Sequence, residues 1–101
     1  MSEWIYFIHP PRDDFVATIT DEEAAIMQTH RAHLDELFEQ GVLVLAGPTY
    51  GRINTGVNVI EADDEEAARA VMASDPAITS GLMRGELRPM RITFLRGRTE
   101  A

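Results

Sequence analysis

Residues 20–41 read TDEEAAIMQTHRAHLDELFEQG, and this stretch predicts one long amphipathic helix. Its apolar side chains recur every three and four residues, which places them on one stripe at about 100° per residue. His30 falls near the middle of that stripe, where a leucine would be expected. A titratable ring there needs a polar partner or a cavity, so His30 is either a satisfied core histidine or part of a pocket. The apolar members of the stripe are Ile26, Met27, Leu34, Leu37 and Phe38.

Both ends of this helix carry local signals. Thr20 and Glu23 have the spacing of a capping box, in which Thr20 caps the helix and Glu23 reaches back to the capping residue. Gly41 follows the last apolar residue of the stripe and suits a left-handed cap at the carboxyl end. The sequence therefore predicts a helix that begins near Thr20 and ends at Gly41.

Apolar segments on either side of this helix predict four strands. Consecutive prolines end the first strand after His9, and Gly47-Pro48 ends the second. The short turn region 49–55 indicates a hairpin between the second and third strands. In the last strand, Met90, Ile92 and Phe94 are expected on one face. The predicted strands are residues 3–8, 42–46, 57–62 and 86–95.

A second helix is predicted from Asp64 to about Ser74, with Asp75-Pro76 and a short turn closed at Gly81 after it. The resulting order is β-α-β-β-α-β. This order indicates an α+β, ferredoxin-like fold with an antiparallel four-stranded sheet and two helices on one face. Residues 1–97 are predicted to form a single domain, and residues 98–101 a frayed tail.

The predicted sheet has one face that two helices on the other side cannot cover. The first and second strands are nevertheless apolar on both sides, so the uncovered face should meet another surface. The simplest partner is the same face of a second copy, and we therefore expect a homodimer with its sheets face to face. The sequence leaves open whether such dimers assemble into a higher oligomer.

Composition excludes several classes of function. The chain has 101 residues, a formal net charge of −8 and no cysteine. The negative charge disfavours nucleic-acid binding through phosphate contacts, and the lack of cysteine removes thiol catalysis and thiolate metal sites. The sequence contains no run of about 18 apolar residues, so a membrane span is not expected. The amino-terminal residues do not resemble a signal peptide. A cytoplasmic location is therefore expected.

Two residues are the main candidates for chemistry. In a ferredoxin-like layout His30 and Asp75 could come within hydrogen-bond reach, because both predicted helices lie on the same sheet face. A carboxylate beside an imidazole fixes its tautomer and makes a usable general base or acid. The alternative for Asp75 is a helix N-cap with Pro76 at the first helical position, and the alternative for His30 is a structural histidine.

Further residues could line a pocket around this pair. His9 ends the first strand and could supply a polar wall, while Arg12 could hold an anionic group. Both could equally be loop residues that face water. His30 and His33 lack a third ligand at recognisable spacing, so a metal site is not expected. Proton transfer by a histidine and an aspartate needs no organic cofactor either, so none is expected. The other residues assigned to binding a small-molecule ligand are Gly47, Pro48 and Tyr50.

The ordered pattern of residues resembles the YciI-like (YCII-related) family over nearly the whole chain. The most distinctive part is the helix histidine eleven residues before Gly41, followed by an Ala-Gly-Pro motif. The segment from Phe7 to Phe15 is similar to a common variant of the family's amino terminus. The residues that carry the pattern are His30, Leu34, Leu37, Gly41, Leu45-Ala46-Gly47-Pro48 and Asp75-Pro76.

This resemblance implies a dimeric α+β barrel, in which two ferredoxin-like units join their sheets. It also implies a His–Asp pair in a pocket, which carries over to His30 and Asp75, and elimination or proton transfer on small ring compounds. The family is similar to small enzymes of the muconolactone-isomerase type. One departure matters: Thr49-Tyr50-Gly51-Arg52 follows the Gly-Pro motif, where the family often has an acidic or polar residue.

Three functions remain open from the sequence. The first is a small lyase or isomerase in which His30 acts as general base or acid and Asp75 orients it. The second is a non-catalytic module that binds a small organic molecule. The third is a structural dimerisation domain. This hypothesis predicts that side chains fill the space around His30.

Overall fold

A computed structural model of the chain describes residues 2–97. It contains four strands and three helices in the order β-α-β-β-α-α-β. The predicted frayed tail at residues 98–101 lies outside the described residues. The elements are β1 (Ser2–His9), α1 (Asp21–Glu39), β2 (Leu43–Pro48), β3 (Gly56–Ala62), α2 (Glu65–Ala73), α3 (Pro76–Thr79) and β4 (Arg84–Met90).

The four strands form one antiparallel sheet in the spatial order β2-β3-β1-β4. Strand β1 therefore lies between β3 and β4, and α1 connects two parallel strands that are separated by β3. This arrangement confirms the predicted α+β, ferredoxin-like fold. The order of strands matters for the site because it places the middle of β1 beneath the helices.

Alternation along β1 separates the two faces of the sheet. Trp4, Tyr6 and Ile8 are buried and belong to the core that the helices cover. Their partners on β3 include Ile60 opposite Trp4 and Asn58 opposite Tyr6. Since paired residues of an antiparallel ladder point to the same side, Asn58 lies on the helix-covered face as well.

The opposite face of the sheet carries no helix among the described residues. Strand pairing places Ile5 beside Val59 and Phe7 beside Val57, and Leu45 also pairs with Val59. We call this apolar surface the open face, made of Ile5, Phe7, Leu45, Val57 and Val59. The predicted dimer would use this surface, and the dimer stays a prediction.

The predicted start of α1 is present in full. The Thr20 side chain accepts a hydrogen bond from the Glu23 N–H, and the Glu23 side chain accepts one from the Thr20 N–H. Gly41 follows the helix with a φ of 79°, a left-handed conformation that glycine adopts without strain. The predicted core stripe is wrong at Phe38, which is 63% exposed. Phe38 follows the buried Leu37 and lies at the edge of a cavity beside α1, outside the packed core.

The predicted last strand is too long. Strand β4 ends at Met90, whose partner on β1 is Glu3. Among the described residues of β1, only Ser2 lies beyond that pair, and the pairing of β1 with β4 stops at Met90. Ile92 and Phe94 consequently lie outside the sheet, and Phe94 is 93% exposed. The predicted turn after Asp75 is a one-turn helix, α3, and β2 extends through Pro48.

None of the helices within residues 2–97 is long and apolar enough to span a membrane.

Candidate active site

His30 and Asp75 are joined by a hydrogen bond in the interior of the protein. The Nδ1 atom of His30 lies 2.7 Å from Oδ1 of Asp75. His30 sits near the middle of α1, and Asp75 immediately precedes α3, so the contact links two helices on the same face of the sheet. Both side chains are buried, and Asp75 has no exposed surface.

Asp75 also caps α3, so the two roles considered for it coexist. Its side chain accepts a hydrogen bond from the Ala77 N–H at 2.9 Å, with Pro76 as the first helical residue. The N-cap geometry fixes the backbone of Asp75 and aims its carboxylate across the interior toward α1. The capping role thus positions the carboxylate for His30.

Tyr6 provides a further contact to the same carboxylate. Its hydroxyl donates a hydrogen bond to Oδ2 of Asp75 at 2.7 Å, from the buried side of β1. The two carboxylate oxygens are therefore held from different directions, by β1 on one side and by α1 and the α3 backbone on the other. Such bracing prevents rotation of the carboxylate and keeps it aligned with the imidazole.

The hydrogen bonds keep Asp75 ionised despite its burial. Burial alone raises the pKa of Asp75, but the hydrogen bonds from His30, Tyr6 and Ala77 outweigh it and hold the pKa below its ordinary value. Burial, together with the neighbouring Asp75 charge, raises the pKa of Tyr6 well above its ordinary value. Tyr6 therefore stays a neutral donor at physiological pH.

These protonation states determine what His30 can do. An ionised carboxylate only accepts hydrogen bonds, so Nδ1 of His30 must carry the hydrogen that lies between them. In the neutral ring, Nε2 then holds a free lone pair. A ring with this tautomer, whose Nδ1–H is held by a carboxylate, has the arrangement required of a general base acting through Nε2.

His30 lies in the wall of a cavity of about 650 Å³. The cavity extends between α1, the loop after β1, and strands β2 and β3. Its wall is largely apolar, with contributions from Ile8, Phe15, Leu34 and Leu43. A cavity of this size and character is typical of sites that bind small organic molecules.

Gly47 and Pro48, which the sequence assigned to ligand binding, line this cavity at the end of β2. The structure places His9, Arg12 and Tyr50 outside the cavity wall. His9 lies on the same side of the sheet as Phe7, and its Nε2 lies 2.8 Å from Oε1 of Glu86. Tyr50 is in the β2–β3 turn and is 91% exposed.

Arg12 supports the amino end of α1. Its guanidinium contacts both carboxylate oxygens of Glu23 at 2.8 Å and lies over the Phe15 ring, 5.2 Å from its centroid. The hydrogen bonds from Arg12 and from the Thr20 backbone lower the pKa of Glu23 to about 2. Because Phe15 lines the cavity, Arg12 backs its wall without facing the ligand space.

Sequence reasoning missed two polar residues at the site, Tyr6 and Asn58. Tyr6 lies within a continuous apolar strand, and the available signal was its hydroxyl, which needs a partner when buried. Asn58 lies in β3 between apolar residues and lines the cavity beside His30. A buried amide in a strand of otherwise apolar residues was the corresponding signal.

Among residues 2–97, no group of three or more His, Asp and Glu side chains is close enough to bind a metal ion. His33, one turn from His30, instead lies with its Nε2 3.4 Å from the Ser74 hydroxyl.

Comparison with protein families gives one match, which covers most of the chain. The family described as the YCII-related domain matches residues 4–91. This range runs from the third residue of β1 to the residue after β4, so it contains His30, Asp75 and Tyr6.

Comparison with solved structures gives a similar fold. One similar structure is 5-chloro-2-hydroxyhydroquinone dehydrochlorinase (TftG) from Burkholderia phenoliruptrix AC1100, in complex with 2,5-dihydroxybenzoquinone. The TM-score is 0.56 and the sequence identity 16%, over 86% of this chain and 93% of that one. No curated protein sequence matches this chain.

Proposed function

The chain belongs to the family of YCII-related domains, and from this premise we propose that it is a small enzyme of the lyase or isomerase type. In this proposal His30 moves a proton on a small organic substrate, and Asp75 orients it. The observation that carries the proposal is the 2.7 Å contact between His30 Nδ1 and Asp75 Oδ1 at the wall of a cavity.

The proposed reaction begins with proton removal by His30. Nε2 takes a proton from a saturated carbon or a hydroxyl group of the bound substrate, and the electrons of the broken bond form a new C=C or C=O double bond. In an elimination from a hydroxylated ring, the ring reacts as its keto tautomer, in which the carbon that carries the leaving group is saturated, and the leaving group departs from that carbon with its own bonding pair. In an isomerisation the proton returns to a different carbon. The carboxylate of Asp75 stabilises the imidazolium that forms in either case.

The catalytic cycle closes when His30 gives up the proton. The imidazolium can return it to the substrate, to the departing group or to water, which restores the neutral ring with its hydrogen on Nδ1. Asp75 stays ionised throughout, because three donors hold its two oxygens. The cycle therefore needs no group beyond the residues at the site.

The similar structure suggests where to look for substrates. That protein is named as a dehydrochlorinase of a chlorinated, hydroxylated ring and holds a dihydroxybenzoquinone. A single six-membered ring fits easily within a cavity of about 650 Å³. We therefore propose small hydroxylated ring compounds with a leaving group as the first substrates to examine.

The open cavity also bears on the competing functions. If the chain were a purely structural dimerisation domain, the space beside His30 should be filled, whereas the structure has a cavity there. A non-catalytic binding module would use the same cavity, and it differs from the enzyme only in the absence of turnover.

We further propose that two copies of the chain pair through the open face. Leu45 on this face is 43% exposed, and the neighbouring Ile5, Phe7 and Val57 are also incompletely covered in the single chain. Pairing would remove this apolar surface from water, which is the main source of free energy in protein association.

The test of the proposed reaction is chloride release from a panel of chlorinated hydroquinones and hydroxyhydroquinones. For any compound that wild type converts, His30→Ala should lower kcat/KM by about 10²- to 10⁴-fold, the usual contribution of a general base. His33→Ala is the matched control, since His33 is on the same helix outside the cavity wall, and its rate should be unchanged.

Added imidazole should restore part of the activity of His30→Ala, because it can enter the space left by the missing ring. Full activity of His30→Ala on a converted compound would rule out the proposed role. Tight binding of panel compounds without any turnover by wild type would favour the binding module.

A further inference from the structure

Two asparagines line the cavity, and their hydrogen bonds differ. Asn54 uses its whole amide within the protein. Its Oδ1 accepts a hydrogen bond from the Val16 N–H at 3.1 Å, and its Nδ2 donates to the carbonyl oxygens of Thr49 and Gly51. Asn54 therefore ties the loop after β1 to the β2–β3 turn.

Within the described residues, the Asn58 side chain makes one hydrogen bond to the protein, through one N–H group of its amide. Its Nδ2 donates a hydrogen bond to the carbonyl oxygen of Tyr6 at 3.2 Å. A carbonyl oxygen can only accept, so this contact fixes which end of the amide is the nitrogen. The remaining atom, Oδ1, has no hydrogen-bond partner within residues 2–97.

The free oxygen of Asn58 is accessible from the cavity. Within the described part of the chain, the one side-chain polar atom that is both sealed and unpaired is Nε1 of Trp4. Asn58 Oδ1 is therefore not sealed, although the residue as a whole is only 2% exposed. Because Asn58 lines the cavity, the small accessible surface of its amide faces the ligand space.

An amide at this position needs an explanation. Residue 58 lies in the middle of a buried strand, on the face where Ile60 and Ala62 also pack. A valine or leucine would fill this place without burying a polar group. An unpaired buried acceptor lowers stability, unless a ligand donates to it in the working protein.

Asn58 and His30 together define the hydrogen-bonding character of the cavity. When its ring is neutral, His30 presents the lone pair of Nε2, because its Nδ1 carries the hydrogen that is shared with Asp75. Asn58 presents the oxygen of an amide. Both are acceptors, and the charged residues that border the cavity, Arg31 and Asp35, are exposed and therefore lie toward its mouth.

We propose that Asn58 is a specificity-determining residue whose Oδ1 accepts a hydrogen bond from a hydroxyl group of the substrate. The substrate class is then a neutral, mainly apolar small molecule that carries a hydroxyl donor. This inference rests on the proposed function for the location of the site. It adds a selection rule: an analogue in which the hydroxyl is methylated should be rejected.

The test compares 2-naphthol with 2-methoxynaphthalene. In the second compound a methyl group replaces the hydroxyl hydrogen that Asn58 would bind. Binding is followed by NMR titration of backbone amide signals, which also reports whether the ligand enters the cavity. Wild type should bind 2-naphthol about fivefold to tenfold more tightly than the methyl ether, the effect of one buried neutral hydrogen bond. In Asn58→Leu this ratio should fall to about 1, with the ether bound at least as tightly as before.

Two further variants make the comparison specific. Asn58→Val, with its higher strand preference, serves if the leucine variant does not fold. Met83→Leu alters the same cavity wall without touching an acceptor, and it should keep the wild-type ratio.

Each other outcome overturns the inference. Equal binding of the two compounds by wild type, or binding of neither, would show that the cavity does not select a hydroxyl donor. A ratio that survives in Asn58→Leu but is lost in His30→Ala would assign the selection to His30. None of these results depends on turnover, so the proposed reaction would still be judged by chloride release alone.

Discussion

At the scale of single residues, Asp75 combines two tasks that are usually separate. It caps a one-turn helix, and it holds the ring of a histidine 45 residues earlier in the chain. Tyr6 completes the arrangement by donating to the other carboxylate oxygen. A change at Asp75 would therefore remove both the cap of α3 and the group that fixes the tautomer of His30.

The Tyr6 contact predicts a specific loss of stability at high pH. The pKa of Tyr6 is raised in the folded protein, so the folded state keeps the hydroxyl protonated where the unfolded chain ionises it. The stabilisation is fully present below about pH 10 and is lost as the pH rises above that value, by up to about 1.4 kcal/mol per pH unit. The chain has no lysine and two tyrosines, so few other groups titrate in this range.

Urea unfolding between pH 7 and 11.5 measures this effect. Tyr6→Phe should lower the free energy of unfolding at pH 7 by about 1–3 kcal/mol, because Asp75 loses a donor, and should remove most of the loss above pH 10. Tyr50→Phe is the control and should behave like wild type, since Tyr50 is almost fully exposed. An unchanged alkaline slope in Tyr6→Phe would contradict the prediction.

The sequence predicts single residues of the site where the signal is local. The 3.6-residue period of α1 places His30 on its inner stripe, and Asp75-Pro76 indicates an N-cap. The sequence could not show that Tyr6 and Asn58 join them, because this depends on the register that pairs Tyr6 with Asn58 across the sheet. Nor could it show the cavity, which arises from gaps between elements that no local pattern encodes.

At the scale of elements, the sheet limits where helices and strands can end. Strand β4 stops at Met90 because β1 ends opposite it, although the apolar alternation continues to Phe94. Period-2 patterning shows which residues suit a strand, but the length of the neighbouring strand decides how many of them pair. The apolar stripe of α1 likewise does not show that Phe38 lies at the edge of a cavity and is exposed.

Close packing between β1 and β3 gives a prediction for Gly56. A Cβ at this position would overlap the side chain of Ile8, whereas a Cβ at Gly47 would meet nothing within 4 Å. Gly56→Ala should therefore lower the free energy of unfolding by about 1–3 kcal/mol, the usual effect of overpacking a core. Gly47→Ala is the matched control in the neighbouring strand and should change stability by less than about 0.5 kcal/mol.

Urea unfolding at neutral pH compares the two alanine variants directly. Equal stability of Gly56→Ala and wild type would mean that Ile8 moves aside without loss. Ile8 also lines the cavity, so a displaced Ile8 should then be visible as weaker or stronger binding of 2-naphthol.

At the scale of the whole molecule, the open face predicts a dimer. Light scattering at micromolar concentration should give twice the chain mass of 11.3 kDa. Phe7→Glu and Leu45→Glu place a charge on the open face and should give the mass of a single chain, because burying an unpaired carboxylate is costly. Phe38→Glu puts the same charge on α1, across the sheet, and should leave the mass of the assembly unchanged.

The variants are first checked by circular dichroism, so that a folded single chain is distinguished from an unfolded one. A single-chain mass for wild type would contradict the proposed pairing. The site would then have to function in one chain, as both Tyr6 and His30 contact Asp75 within it.

The division of labour within the chain has a consequence for evolution. The groups to which the proposed reaction assigns the proton transfer are anchored on β1, α1 and the start of α3, whereas much of the surrounding wall comes from β2, β3 and the loops beside them. Substitutions in the second set can reshape the chamber while the first set is untouched. Related proteins with this arrangement can therefore acquire a different substrate while the residues assigned to proton transfer stay the same. Directed evolution of new selectivity should begin with β2 and β3.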